Sequence, residues 1–256
     1  MEPSEYNKIF YTHIFDKKSL GYYQSQKRKI EIVLNFFEKH RNGKILDIGC
    51  GDGFISSLIK DITKAEVYGV DISRSSVEKA RKKGIKAKVV NIDKKFPFKP
   101  NTFDAVFCGD IVEHIYDSEA LLMKIYNILK PEGYLIVSVP NIAAWYNRFF
   151  LLVGLMPIWV ESSLKAYTGN PFIKEGVGHI HAFTERSLKE LLQLTGFKIE
   201  SVKGSPILGD GSFPSWIEKV WNFTDSIFAK KPSLSSVVVV KARKAKKGVS
   251  NYSPNK

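Results

Sequence analysis

Apolar positions along the chain fall into two alternating rhythms. Over residues 25–40, Ile30, Val33, Leu34 and Phe37 recur at spacings of three and four, which predicts an amphipathic helix closed by Asn42-Gly43. Residues 44–48 then form an apolar run of strand length, and a helical pattern follows over 54–61. The exchange repeats with a strand over 66–70 ending at Asp71 and a helix that Ser73 caps and Gly84 stops. Strands over 86–90 and 102–108, a helix over 117–129, a turn at Lys130-Pro131-Glu132-Gly133 and a strand over 134–139 complete the series. Strand and helix alternating at this spacing predict an α/β fold, a doubly wound and mostly parallel sheet with right-handed crossovers.

After Pro140 the alternation lapses. An aromatic insertion read as irregular runs over about 142–183, and Thr184 then caps a helix to Thr195. A strand over 197–202 follows. A second insertion, about 206–230, carries Trp216, Val220, Trp221 and Phe223 on a helix, and a β-branched strand over 236–240 comes last. Residues 1–24, rich in tyrosine and phenylalanine without a period, are read as an arm or lid. The main domain is expected over 25–243. Disorder is expected from Ala242 onward, with 244–256 forming a basic tail.

The stretch Asp47-Ile48-Gly49-Cys50-Gly51-Asp52-Gly53 joins the first strand to a helix through three alternate glycines. A strand, a glycine turn and a helix start mark a ligand loop at the carboxyl edge of a parallel sheet. A dinucleotide site needs G-x-G-x-x-G and positive potential for its pyrophosphate. Here Asp47 and Asp52 bring negative charge instead, which argues against a nicotinamide oxidoreductase and for a cationic or zwitterionic ligand. Asp71, at the end of the second strand, has two oxygens that can accept from both hydroxyls of a ribose.

With those residues in place, the loop resembles motif I of the class I S-adenosylmethionine-dependent methyltransferases. Asn91-Ile92-Asp93, the run from Thr102 to Asp110 and the run from Lys130 to Ile136 resemble that family's later motifs, in the same order. The resemblance is close over 44–141 and looser over 178–203. It implies a seven-stranded Rossmann-like fold whose last strand enters antiparallel between the fifth and sixth. It also implies S-adenosylmethionine as cofactor, held by Asp47, Gly49, Cys50, Gly51, Gly53, Asp71, Ile72, Ile92, Asp93 and the Gly109 backbone. In that scheme Asp93 accepts from the adenine amino group while Ile72 and Ile92 flank the ring, and Asp104 is structural. Glu132 stands where the family has a glycine, so Gly133 is expected to take the positive φ.

Asp110-Ile111-Val112-Glu113-His114 resembles the D-x-x-E-H signature of small-molecule O-methyltransferases, some of which act on quinone precursors. Histidine titrates near neutral pH, so His114 is a candidate base with Glu113 beside it. The competing reading makes Glu113 a helix pin and His114 a packed core residue. His179 and His181 alternate on an extended segment and project to one side. They are candidates to face substrate, against a purely structural entry to the next helix. No metal is expected, since no further His/Cys cluster accompanies them.

Composition adjusts this picture only at its edges. The 256 residues, 44% of them hydrophobic, suffice for one sizeable core. A net charge of +13 gathers at Lys27-Arg28-Lys29, Arg81-Lys82-Lys83 and the stretch from Lys241 to Lys247. Such runs attract nucleic acid or an anionic membrane, but a solvated surface is the favoured reading. Two cysteines leave no disulfide framework, residues 1–28 are mostly polar and aromatic and are not expected to act as a signal segment, and the apolar run over 149–160 is too short to span a bilayer. A cytoplasmic methyltransferase is therefore expected, acting on oxygen of a small or lipid- or carrier-linked acceptor, with peripheral membrane contact compatible with its aromatic insertions. Its rivals are an RNA or protein methyltransferase and a regulatory protein that binds the cofactor without chemistry. The sequence leaves the oligomeric state open.

Overall fold

The computed structural model describes residues 24–161, 168–171, 178–209 and 214–245. Seven strands form one sheet: β1 (Lys44–Ile48), β2 (Glu66–Asp71), β3 (Lys86–Val89), β4 (Phe103–Gly109), β5 (Leu129–Pro140), β6 (Phe197–Ser205) and β7 (Val237–Lys244). Their order is β3-β2-β1-β4-β5-β7-β6. β1 to β5 pair in parallel, and β7 lies antiparallel between β5 and β6, as the resemblance implies.

Alternation along the strands sends side chains to two cores. On one face Leu46, Val106, Leu135, Val137 and Val240 meet α4 (Ser118–Ile128) and α6 (Glu185–Leu194) through Leu122, Ile125, Leu188 and Leu192. On the other face Ile45, Val67, Ala105 and Ile136 meet α1 (Lys27–Phe37), α2 (Phe54–Thr63) and α3 (Arg74–Lys82) through Phe37, Phe54, Leu58 and Val77. The strand order reverses direction between β1 and β4, so a crevice opens outside their carboxyl ends.

Several local expectations need correcting. The stretch 130–133, read as a turn, lies within β5, and the residue with positive φ is Glu132 at 63°, not Gly133. Gly133 is required for a different reason: a Cβ there would come within 2.9 Å of the Lys130 carbonyl oxygen and 3.1 Å of that of Asp104. The carbonyl oxygen of Glu132 accepts from Arg243 Nη1 at 2.6 Å, which helps hold a conformation costing roughly 1–2 kcal/mol for a side-chain-bearing residue.

Disorder from Ala242 onward is also corrected. Ala242 is fully buried in β7, and its basic neighbours are engaged. Lys241 Nζ lies 4.3 Å from the Tyr134 ring centroid and donates to the Phe36 carbonyl, and Lys244 donates to the carbonyl of Leu129. Of the tail expected over 244–256, Lys244 ends β7, while 246–256 lie outside the described residues, as do residues 1–23 of the arm expected over 1–24. The first insertion, read as irregular, contains α5 (Trp145–Leu152), and the second contains α7 (Ser215–Phe228).

The insertions are pinned together and to the sheet. Trp145 stacks on Phe228 with ring centroids 5.2 Å apart, and Tyr146 packs against Trp221 at 5.1 Å. Buried Asp225 accepts from Trp145 Nε1, Ser236 Oγ and Ile207 N.

Candidate active site at the carboxyl edge of the sheet

The glycine loop leaves β1 and turns back under β2, with Gly49 N and Cys50 N both donating to the Val70 carbonyl. Gly53 has φ +79°, and a Cβ there would lie 2.8 Å from Ala80 Cα, so this glycine lets α2 approach α3. Gly51 differs: at φ +52° a Cβ would meet nothing within 4 Å. Its backbone faces open space, which is the cradle a ligand lying on the loop requires.

Asp71 braces that cradle. One carboxylate oxygen accepts from Gly51 N at 2.9 Å and the other from Ser73 N at 2.8 Å. Each oxygen keeps a second lone pair able to accept a further hydrogen bond. Ser73 caps α3 by accepting from Ser76 N, as expected. Ile72 projects into solvent at 69% exposure, and Ile92 and Asp93 follow β3 on the same edge. Asp93 is exposed, while Ile92 packs against the core. These placements fit a nucleoside with a hydroxyl-bearing sugar and a flat base.

Asp47 and Cys50 are placed beneath the loop. Asp47 is buried and accepts from Ser56 Oγ; burial raises its pKa to about 7, Ser56 opposes that rise and nearby Asp71 adds to it. Asp52 is ion-paired to Lys83 at 2.8 Å, so its charge is balanced within the fold. Gly109 ends β4 beside Ser138, and a Cβ there would strike the Phe107 ring.

Across the crevice, the segment from Asp110 to His114 meets the end of the first insertion. Ile180 N and His181 N donate to the Glu113 carbonyl at 2.9 and 3.0 Å, which fixes one segment to the other. Glu113, His179 and His181 line one small depression with Pro140, Ile142, Trp159, Ala182 and Phe183. His114 stands behind His179, ring centroids 4.7 Å apart. His114 Nδ1 lies 3.0 Å from the Gly178 carbonyl and His179 Nδ1 lies 3.2 Å from that of Trp159. A carbonyl can only accept, so in each neutral ring Nδ1 carries the hydrogen and Nε2 carries the basic lone pair. His181 Nε2 instead points to the Tyr116 carbonyl at 3.1 Å.

Glu113 is 1% exposed, and neither carboxylate oxygen has a hydrogen-bond partner among the described residues. Burial, with a smaller push from Asp110, raises its pKa to about 8, against the pull of Lys29. At neutral pH the side chain is therefore mostly a neutral carboxylic acid able to donate a hydrogen bond. His179 is lowered from its ordinary value by burial and by the neighbouring His114.

Lys29 does more than its place in a basic run implies. It is 3% exposed and ion-pairs with Asp110, which also accepts from Ser138 Oγ at 2.8 Å. Its signal was present: Lys29 lies one turn before Val33 and so faces inward on α1. Glu113, His114 and His179 also offer ligand atoms within 4.8 Å of one another, a grouping that sequence spacing did not reveal.

Residues 22–202 match the family described as "Methyltransferase domain". The chain is 36% identical over 96 residues to a ubiquinone/menaquinone biosynthesis C-methyltransferase of Desulfotalea psychrophila, covering 36% of this chain and 39% of that one. It is 31% identical over 126 residues to a ubiquinone biosynthesis O-methyltransferase of Idiomarina loihiensis, covering 44% and 51%. The chain thus spans about half the length or less of these two curated relatives. Among solved structures, an S-adenosylmethionine-dependent methyltransferase of Mesorhizobium loti superposes with a TM-score of 0.58 at 19% identity, over 83% of this chain and 96% of that one.

Proposed function

The chain belongs to the methyltransferase-domain family, whose cofactor is S-adenosylmethionine, and on that premise we propose that it methylates oxygen on a small or lipid- or carrier-linked acceptor. The observation that carries this reading is the depression holding buried Glu113, which has no hydrogen-bond partner among the described residues, beside His179 and His181, with His179 Nε2 4.0 Å from Glu113 Oε1 and His114 in ring contact behind.

When bound, S-adenosylmethionine would supply a methyl group on a sulfonium, with S-adenosylhomocysteine as the product. Asp47 and Cys50 support the loop from below, while the Gly49, Gly51 and Gly53 backbone forms the cradle. Asp71 would accept from the ribose hydroxyls, Ile72 and Ile92 would flank the base, Asp93 would accept from its amino group, and the Gly109 backbone would border the methionine end. Neutral Glu113 donates a hydrogen bond that fixes the acceptor's oxygen. His114 or His179 takes the acceptor's proton at Nε2, and His181 with Phe183 shapes the wall. Holding the acceptor in line is itself worth several kcal/mol of barrier. Pro140, Ile142, Trp159 and Phe183 make that wall largely apolar, which suits a ring or isoprenoid-bearing acceptor. The Idiomarina relative, named for O-methylation in ubiquinone biosynthesis, lends the same direction.

The test is transfer of labelled methyl from S-adenosylmethionine into fractionated lipid, small-molecule and RNA extracts. Label in the lipid or small-molecule fraction, released by chemistry that cleaves methyl ethers, supports the proposal. Label confined to RNA or protein refutes it.

A further inference from the structure

We propose that α5 and α7 together form a basic, apolar face that seats the protein on an anionic lipid surface. The inner side of α7 is explained by the fold: Trp221 and Phe228 pack on α5, and Asp225 accepts from Ser236 just before β7 and from Ile207 just after β6. Its outer side is not polar, as a helix with one buried face requires. Trp216, Val220, Phe223 and Ile227 follow one another at turn spacing, all exposed, with Trp216 at 68% and Phe223 at 69%. α5 repeats the pattern, since Phe149 and Leu152 are exposed at 59% and 82%. The Trp145–Phe228 stack fixes the two helices to each other, so the residues belong to one rigid unit.

Charge decides the occupant. The exposed charged side chains on these helices and on the turn after α7 are Arg148, Lys219, Lys230 and Lys231. Asp225 is sealed inside, and Glu218 is half-buried. A second copy of the chain would bring like charges together. Acyl chains accept the tryptophan, phenylalanine and leucine, while anionic headgroups meet the lysines and arginine. In the chain α5 lies between Ile142 and Trp159, both of which line the depression, so a bilayer under this face would lie near the acceptor site. The inference does not depend on which atom is methylated.

The test is co-sedimentation of the full chain with phosphatidylcholine vesicles, with and without phosphatidylglycerol. Phe223→Glu and Leu152→Glu are the variants, and calorimetry with S-adenosylmethionine reports that each is folded. Binding should strengthen at least about tenfold with phosphatidylglycerol, weaken with salt and fall at least about tenfold in either variant, with the cofactor heat unchanged. Three results overturn the proposal: no binding to either vesicle, equal binding to both, or variants that bind like the native chain. A dimer in light scattering that the variants dissolve, without vesicle binding, would assign the face to a second copy instead.

Discussion

Replacing Glu113 by Gln isolates a carboxyl group that the fold keeps out of water. In the unfolded chain it titrates near 4.5, and in the folded chain at about 8, chiefly because of burial. The folded state thus binds the proton more tightly, so the stability contribution is fully present below pH 4.5 and is lost as pH rises. The loss grows between 4.5 and 8 as the unfolded carboxyl ionises first. It reaches about 3 kcal/mol at pH 7 and approaches about 5 kcal/mol above pH 8. Glutamine does not ionise and loses nothing over this range. A buried amide adds its own cost, but equally at every pH, so the readout is the slope. Asp47, with its pKa raised to about 7, tilts both proteins alike. Urea unfolding without cofactor at pH 5 and pH 8.5 should show Glu113→Gln gaining about 4 kcal/mol on the native chain between the two conditions. Parallel loss in both proteins would refute the claim that this carboxyl is buried and unsolvated.

Further substitutions probe the site and its scaffold. His114→Ala and His179→Ala should keep cofactor affinity, and the one serving as base should lower transfer about a hundredfold or more; single-turnover assays decide which. Gly53→Ala should lower stability by roughly 1–3 kcal/mol, because the new Cβ meets Ala80 at 2.8 Å on a backbone with positive φ, and thermal melts would register it. Glu132→Gly relieves φ 63° and keeps the Arg243 bond to the backbone but removes a carboxylate that also attracts Arg243, so its net gain in stability should stay below about 1 kcal/mol; a urea midpoint raised by more than that would contradict this.

Features governed by local periodicity were legible in the sequence. The helix of Ile30, Val33, Leu34 and Phe37, the Ser73 and Thr184 caps and the position of the last strand all follow from spacing, capping or resemblance. Features governed by tertiary contact were not. Nothing local says that Glu132 rather than Gly133 turns left-handed, nor that Gly133 is needed because the Lys130 and Asp104 carbonyls leave no room for a Cβ. The basic residues of β7 read as a tail because their ring, carbonyl and carboxylate partners are remote in the chain, Phe36, Tyr134 and Glu200 among them. Likewise His114 and His179 are 65 positions apart in sequence, and bonds between remote segments bring them together: Ile180 N and His181 N to the Glu113 carbonyl, and the His114 ring to the Gly178 carbonyl.

The central claim is that the Gly51 cradle and the Asp71 carboxylate hold the nucleoside of S-adenosylmethionine. Titration calorimetry on the native chain and on Asp71→Ala tests it most directly. The account predicts saturable one-site heat with S-adenosylmethionine and with S-adenosylhomocysteine for the native chain, and none for the variant at equal concentrations. No heat from the native chain with either compound, or undiminished affinity in Asp71→Ala, would contradict it.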